Sequence, residues 1–157
     1  ALRQSWINVF RLSVSLSEPV DTRVLQSALD VTVRRFPSMC VRLRRGLFWY
    51  YLQQLSEAPK IREESSYPVT RMSRREIGRC AFRVIAYENR IAVEFFHAVT
   101  DGTGGLVFLK SLTAEYLQAH DLTDLIDVVE TVPPLHTPFV PRNSIVREFV
   151  GGSCYEY

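Results

Sequence analysis

The stretch Arg90-Ile91-Ala92-Val93-Glu94-Phe95-Phe96-His97-Ala98-Val99-Thr100-Asp101-Gly102-Thr103-Gly104-Gly105 leaves few folds open to this chain. Its first half alternates with the two-residue period of a strand, Ile91, Val93, Phe95 and His97 on one side and Ala92, Glu94 and Phe96 on the other. Asp101-Gly102 then breaks the strand. Residues 103–118 follow, with Leu106, Leu109, Leu112 or Thr113, and Tyr116 at the three- and four-residue spacing of a helix face. A strand that passes through a glycine-rich turn directly into a helix calls for a mixed sheet-and-helix fold, and it leaves His97 at the strand end, closing a buried-type row. Position alone does not make His97 a catalyst. A lone histidine at a strand end is more often a packing residue, and Asp-Gly is an ordinary turn pair.

The preceding sequence supplies partners for that strand. Residues 80–87 and 90–97 flank Glu88-Asn89 and read as a hairpin, with Asn89 suited to a positive φ. Residues 5–16 alternate Phe10, Leu12, Val14 and Leu16 against Arg11, Ser13 and Ser15, which predicts a half-buried strand. Asp21 can cap a helix over 21–36 whose inward stripe is Leu25, Ala28, Leu29, Thr32 and Phe36, and Pro37 stops it. Residues 39–44 and 47–52 form a second predicted hairpin around a two-residue Arg45-Gly46 turn. Between 56 and 79 the sequence is polar, and it predicts a short extended piece near 60–63 and otherwise irregular chain. Its basic run, Arg71-Met72-Ser73-Arg74-Arg75, reads as solvated surface, the functional alternative being attraction of the phosphates of a coenzyme A-type donor.

The 157 residues fit one domain with a real core, and 46% hydrophobic and 23% charged residues are ordinary globular values. A net charge of +2 is too small to make nucleic acid or an anionic membrane the main partner. Cys40, Cys80 and Cys154 are odd in number and widely spaced. They suggest neither a disulfide framework nor a zinc site, and favour a reducing compartment. With no long apolar run and no signal peptide, the expected location is cytoplasmic and no membrane span is expected. Residues 121–130 suit a short helix, whereas Pro133, Pro134, Pro138 and Pro141 forbid one beyond it. His120 and His136 stand isolated, and no metal site is signalled. The chain opens on Ala1 without an initiator Met and reads as a fragment.

His97-Ala98-Val99-Thr100-Asp101-Gly102 resembles the His-x-x-x-Asp-Gly signature of the chloramphenicol acetyltransferase-like superfamily. That group includes peptide-synthesis condensation domains, alcohol acetyltransferases and polyketide-associated acyltransferases. There too the motif closes a strand, precedes a helix and follows a first strand and helix. Residues 34–42 also resemble the family's Arg-His-x-x-Leu-Arg neighbourhood, with Phe36 in place of the His and Cys40 in place of the second Arg, so that only Arg35 carries over.

The resemblance implies an α/β (α+β) two-layer sandwich, a mostly antiparallel sheet with helices on one face. Residues 1–130 would be the N-terminal half of an acyltransferase and 131–157 a connector towards a C-terminal half that completes the donor channel. It implies His97 as general base, a role suited to an imidazole whose ordinary pKa is about 6.5. The base would act on an alcohol or amine acceptor attacking a coenzyme A or pantetheinyl thioester, a co-substrate and not a bound cofactor. Asp101 and Gly102 would hold the loop, Asp101 through an arginine: Arg35 best, Arg11 or Arg42 otherwise. The chain alone would have little activity, and its uncovered face would favour self-association. Two other classes stay open, a non-catalytic interaction scaffold of the same fold and, weakest, a metal-dependent hydrolase using His97 and Asp101.

Overall fold

The computed structural model describes residues 9–64 and 71–120 and the backbone of residues 146–150. Its first strand, β1 (Val9–Leu16), is followed by α1 (Thr22–Arg35). The Asp21 carboxylate accepts from the N–H groups of Arg23 at 2.8 Å and Val24 at 3.3 Å, and the helix ends at Phe36, before Pro37. Then come β2 (Val41–Arg45), β3 (Tyr50–Gln54), β4 (Arg62–Glu63), α2 (Arg74–Ile77), β5 (Phe82–Tyr87), β6 (Arg90–Phe96), α3 (Gly102–Ala119) and β7 (Val146–Val150). A five-stranded sheet runs β4-β5-β6-β1-β7, antiparallel at every pairing except β4–β5. β7 lies in the range expected to be a connector; the rest of that range, residues 1–8 and the expected short helix at 121–130 lie outside the described residues.

The β5–β6 hairpin forms where the sequence puts it, but its turn differs in detail. Glu88, not Asn89, takes the positive φ, at 48°. Asn89 is used otherwise: its amide donates to the Leu16 carbonyl at 2.7 Å, and its own carbonyl accepts from the Leu16 N–H. The hairpin turn is thus tied to the end of β1. In the β2–β3 hairpin, Arg45 pairs with Tyr50, so the connection is the loop 46–49 and not a two-residue turn. The two strands make a small sheet of their own.

One face of the large sheet is buried and the other largely so, for different reasons. On one, Phe10, Leu12 and Val14 of β1, Ile91, Val93 and Phe95 of β6 and Phe82 and Val84 of β5 share a core with Leu25, Ala28 and Leu29 of α1 and Phe108, Leu109 and Leu112 of α3. The other face follows the same alternation but hides charge instead of presenting it to water. Glu94 is fully buried between its cross-strand neighbours Arg11 and Arg83, at 3.2 and 2.5 Å. Arg11 also meets Glu64 at 2.5 Å, and Arg83 meets Glu76, which Arg62 reaches at 2.8 Å. Every buried charge there has an opposite neighbour, as burial of charge demands.

Residues 71–77, expected to be irregular, hold α2. Ser73 and Glu76 form a reciprocal capping box, Ser73 Oγ accepting from the Glu76 N–H at 3.2 Å and Glu76 Oε2 from the Ser73 N–H at 2.8 Å. Met72 and Ile77 are buried in a second cluster with Val9, Val41 and Ala81, while Arg74 and Arg75 face out. Cys40 and Cys80 are also in the core, both as thiols, although remote in sequence. The side-chain hydrogen bond between them and burial push the Cys80 thiol up. Among the described residues no helix is long and apolar enough to cross a membrane.

Glu76 gives this arrangement an acid limit. Burial pushes its carboxyl up, but the Ser73 N–H, Arg62, the Ser73 hydroxyl and the Arg83 charge outweigh it and hold the carboxyl at about 2, against an ordinary 4.5. A depressed folded-state pKa contributes stability that is complete above about 4.5 and is lost as pH falls towards about 2. Glu76→Gln is therefore expected to cost on the order of 2 kcal/mol at neutral pH, with the gap to the parent closing across that acid range. Denaturant melts over a pH series test this; a gap independent of pH would show that the charge is not what stabilises α2.

Candidate functional site

His97 lies one residue beyond β6, in a turn closed by the Val99 N–H donating to the Phe96 carbonyl at 2.9 Å. Strand alternation alone would bury it beside Phe95; the turn instead leaves the imidazole exposed. This corrects the buried row expected from the sequence, whose last buried member on that face is Phe95. The ring is nevertheless located, because it meets the Phe10 ring edge-on with centroids 5.2 Å apart and planes at 61°. Phe10 is itself buried and stacked on Phe95 at 5.5 Å. A solvent-facing imidazole is thus braced by a core aromatic.

Asp101 ends the loop as the N-cap of α3. Its Oδ1 accepts from the Gly104 N–H at 2.7 Å, and its carbonyl accepts from the Gly105 N–H at 2.9 Å. No arginine pairs with Asp101 among the described residues. Arg35 instead joins α1 to α3 through Glu115 at 2.6 Å, Arg11 serves Glu64 and Glu94, and Arg42 donates to Gln53. The expected arginine clamp is replaced by a helix cap, a role that the sequence Asp-Gly-Thr-Gly before an apolar helical pattern also signals. The cap takes the Gly104 amide, and the short hydrogen bond fixes where the strand-to-helix loop ends.

The glycines divide by what surrounds them. Gly102 was expected to permit a sharp turn, yet a Cβ there would meet nothing within 4 Å, and its φ is not positive. The close approach is at Gly104, where a Cβ would strike Thr100 Oγ1, and at Gly105, where it would lie 3.0 Å from Phe10 Cε2 and 3.1 Å from Leu12 Cδ1. Gly105 therefore lets the first turn of α3 rest on β1, against the same Phe10 ring that braces His97. His97, Phe10, Asp101 and the first turn of α3 form one unit; Arg35 belongs to the α1–α3 contact. Phe10 was not foreseen as a site residue, and its only sequence signal was membership of the apolar face of β1. No group of three or more His, Cys, Asp or Glu residues that could hold a metal occurs among the described residues.

This geometry separates four substitutions. Gly105→Ala should cost about 1–3 kcal/mol, because Phe10 and Leu12 are packed and have nowhere to go. Gly102→Ala, in open space inside a helix, should be neutral or stabilising by up to about 1 kcal/mol. Asp101→Asn keeps a capping oxygen and should leave the melting temperature nearly unchanged, whereas Asp101→Ala should cost about 1 kcal/mol. Thermal melts of the four variants check the set. A large loss with Asp101→Asn would mean that the carboxylate charge is needed for something besides the cap.

Comparison with known proteins places the fold. No protein-family model and no curated relative matches the sequence. Solved structures do. The polyketide synthase associated protein 5 from Mycobacterium tuberculosis is 16% identical with a TM-score of 0.55, over 87% of this chain and 33% of that one. The first condensation domain of the calcium-dependent antibiotic synthetase, in complex with a substrate analogue, is 17% identical with a TM-score of 0.54, over 75% of this chain and 33% of that one. The X-domain from teicoplanin biosynthesis, in its complex with OxyB, is 14% identical with a TM-score of 0.58, over 75% of this chain and 29% of that one. The chain thus spans about a third of the length of these structures, and over that span it shares their fold.

Proposed function

We propose that this chain is the motif-bearing part of an acyltransferase that moves an acyl group from a coenzyme A or pantetheinyl thioester to an alcohol or amine, with His97 as general base. The observation that carries the reading is the exposed imidazole at the end of β6, braced by Phe10 and followed directly by a capped helix, in a fold shared with condensation domains. It is accessible to a small acceptor, yet held on one side.

The chemistry then balances simply. The acceptor hydroxyl or amine attacks the thioester carbonyl while an imidazole nitrogen of His97 takes its proton. The tetrahedral intermediate collapses and expels the thiolate, which recovers the proton from the imidazolium. Neither a serine nor a cysteine acyl-enzyme is needed, and proton transfer of this kind typically contributes about 10²- to 10⁴-fold. Asp101 and Gly105 act through position, by fixing the loop and the helix that follow His97. In this reading the remainder of the donor and acceptor channel comes from sequence beyond this chain, arranged as a two-layer sandwich paired with a second half.

A second reading, an interaction scaffold of the same fold, is favoured by one comparison: the X-domain was solved as a complex with another protein, OxyB. A thiol-release assay on the natural full-length protein, with a panel of acyl-coenzyme A donors and alcohol or amine acceptors, separates the two. Under the acyltransferase reading, His97→Ala lowers turnover by about 10²-fold or more without changing the melting temperature. Turnover unchanged by His97→Ala would remove His97 as the base. Absence of turnover with every pair would favour the scaffold.

A further inference from the structure

Large apolar side chains exposed among the described residues are concentrated in one place. Leu47, Phe48, Trp49, Tyr50, Tyr51 and Leu52 follow one another on the β2–β3 hairpin, with only Val31 and Tyr87 elsewhere. At the tip, Leu47 is 91% and Phe48 89% exposed, so they touch almost nothing among the described residues. The root is fixed. Val41 is buried with Met72, Ile77 and Ala81, Leu43 packs on that cluster, and the Ala81 N–H donates to the Val41 carbonyl at 2.8 Å. The loop itself is closed by the Gly46 N–H donating to the Trp49 carbonyl at 2.7 Å. A clamped hairpin with a bare apolar tip is built to present that tip to something else.

We infer that the β2–β3 hairpin docks on an anionic lipid surface, its Leu47-Phe48 tip entering the acyl region. The charge on the hairpin selects this occupant. Residues 41–54 contain Arg42, Arg44 and Arg45 and no Asp or Glu. Among the described residues none of the three is in an ion pair, and Arg42 and Arg44 donate to the uncharged Gln53 side chain at 3.0 and 3.2 Å. The small net charge of the chain averages this local excess away. Chemistry is also graded with distance from the tip: Leu47 and Phe48 outermost, Trp49 beside them, then Tyr50 opposite Arg45 and Tyr51 opposite Arg44. With a rise of about 3.4 Å per strand residue, the Tyr–Arg pairs sit roughly 5–10 Å behind the tip. That is the depth of the headgroup layer, where tyrosine and tryptophan rings collect and arginines meet lipid phosphates. Insertion of a short tip needs no helix able to span a bilayer.

The test uses the natural full-length protein with every tryptophan except Trp49 replaced by Phe, Trp6→Phe among them, and phosphatidylcholine vesicles with or without phosphatidylserine. Co-flotation with the anionic vesicles, weakened by salt, is expected, together with a blue shift of Trp49 emission and quenching by brominated acyl chains. Leu47→Ser with Phe48→Ser should abolish the shift, and Arg44→Ala with Arg45→Ala should weaken binding about tenfold or more. Neither pair touches the core, so unchanged melting temperatures would confirm that folding is intact. Two results would overturn the inference. One is absence of binding to anionic vesicles, or binding that survives loss of the tip. The other is Trp49 already blue-shifted and shielded from acrylamide without lipid, which would mean that protein, either the rest of the polypeptide or a second copy, covers the hairpin.

Discussion

The packing of Phe10 against Gly105 is the contact on which the site depends. One ring edge occupies the space that a Cβ at residue 105 would take, so α3 can start directly over β1. The same ring stacks on Phe95 and meets His97 edge-on. Strand, helix and imidazole are therefore referred to a single rigid side chain, and aromatic contacts of this kind are directional enough to hold a ring orientation. His97 needs no hydrogen bond to a neighbouring side chain to be placed.

The opposite face of the sheet meets a harder requirement. Glu94 is fully buried, where an unpaired charge is costly, and the β1–β6 and β5–β6 registers set Arg11 and Arg83 on either side of it. Glu64 and Glu76 then offset the second arginine charge, so residues around β4 and α2 are tied to the sheet by charge as well as by apolar contact. A register slip of one residue would bring Glu94 to the apolar face, which makes the pairing unambiguous. Precise register in turn fixes where β6 ends, and so where His97 emerges.

The hairpin β2–β3 shows the converse economy. Its root is buried with α2 while its tip is bare, so the most apolar exposed run lies where it packs against almost nothing among the described residues. A lipid surface, which needs shallow apolar insertion and nearby cations, matches the composition and order of that run. His97 and the hairpin tip are separate features of the fold, the first carrying the proposed chemistry and the second the proposed lipid contact.

Much of this was legible in the residues alone, for local reasons. Two-residue alternation marked β1 and β6, and the hairpin around Glu88-Asn89 marked β5; Asp21 and Pro37 bracketed α1; Asp101 and the glycines announced the start of α3, within a residue of where it begins. The resemblance to a His-x-x-x-Asp-Gly motif is what brings His97 into the proposed function. The Ser73–Glu76 capping box is equally local, although it lies in a polar, basic stretch that otherwise reads as irregular surface chain. What only the tertiary structure decided depends on residues distant in the chain. Whether an alternating polar row meets water or an ion network is settled by what packs on it, as Glu94 shows. Whether Asp101 holds an arginine or a helix depends on where Arg11, Arg35 and Arg42 find carboxylates or amides. Sequence spacing says that Gly105 lacks a side chain; only the sheet beneath it explains why.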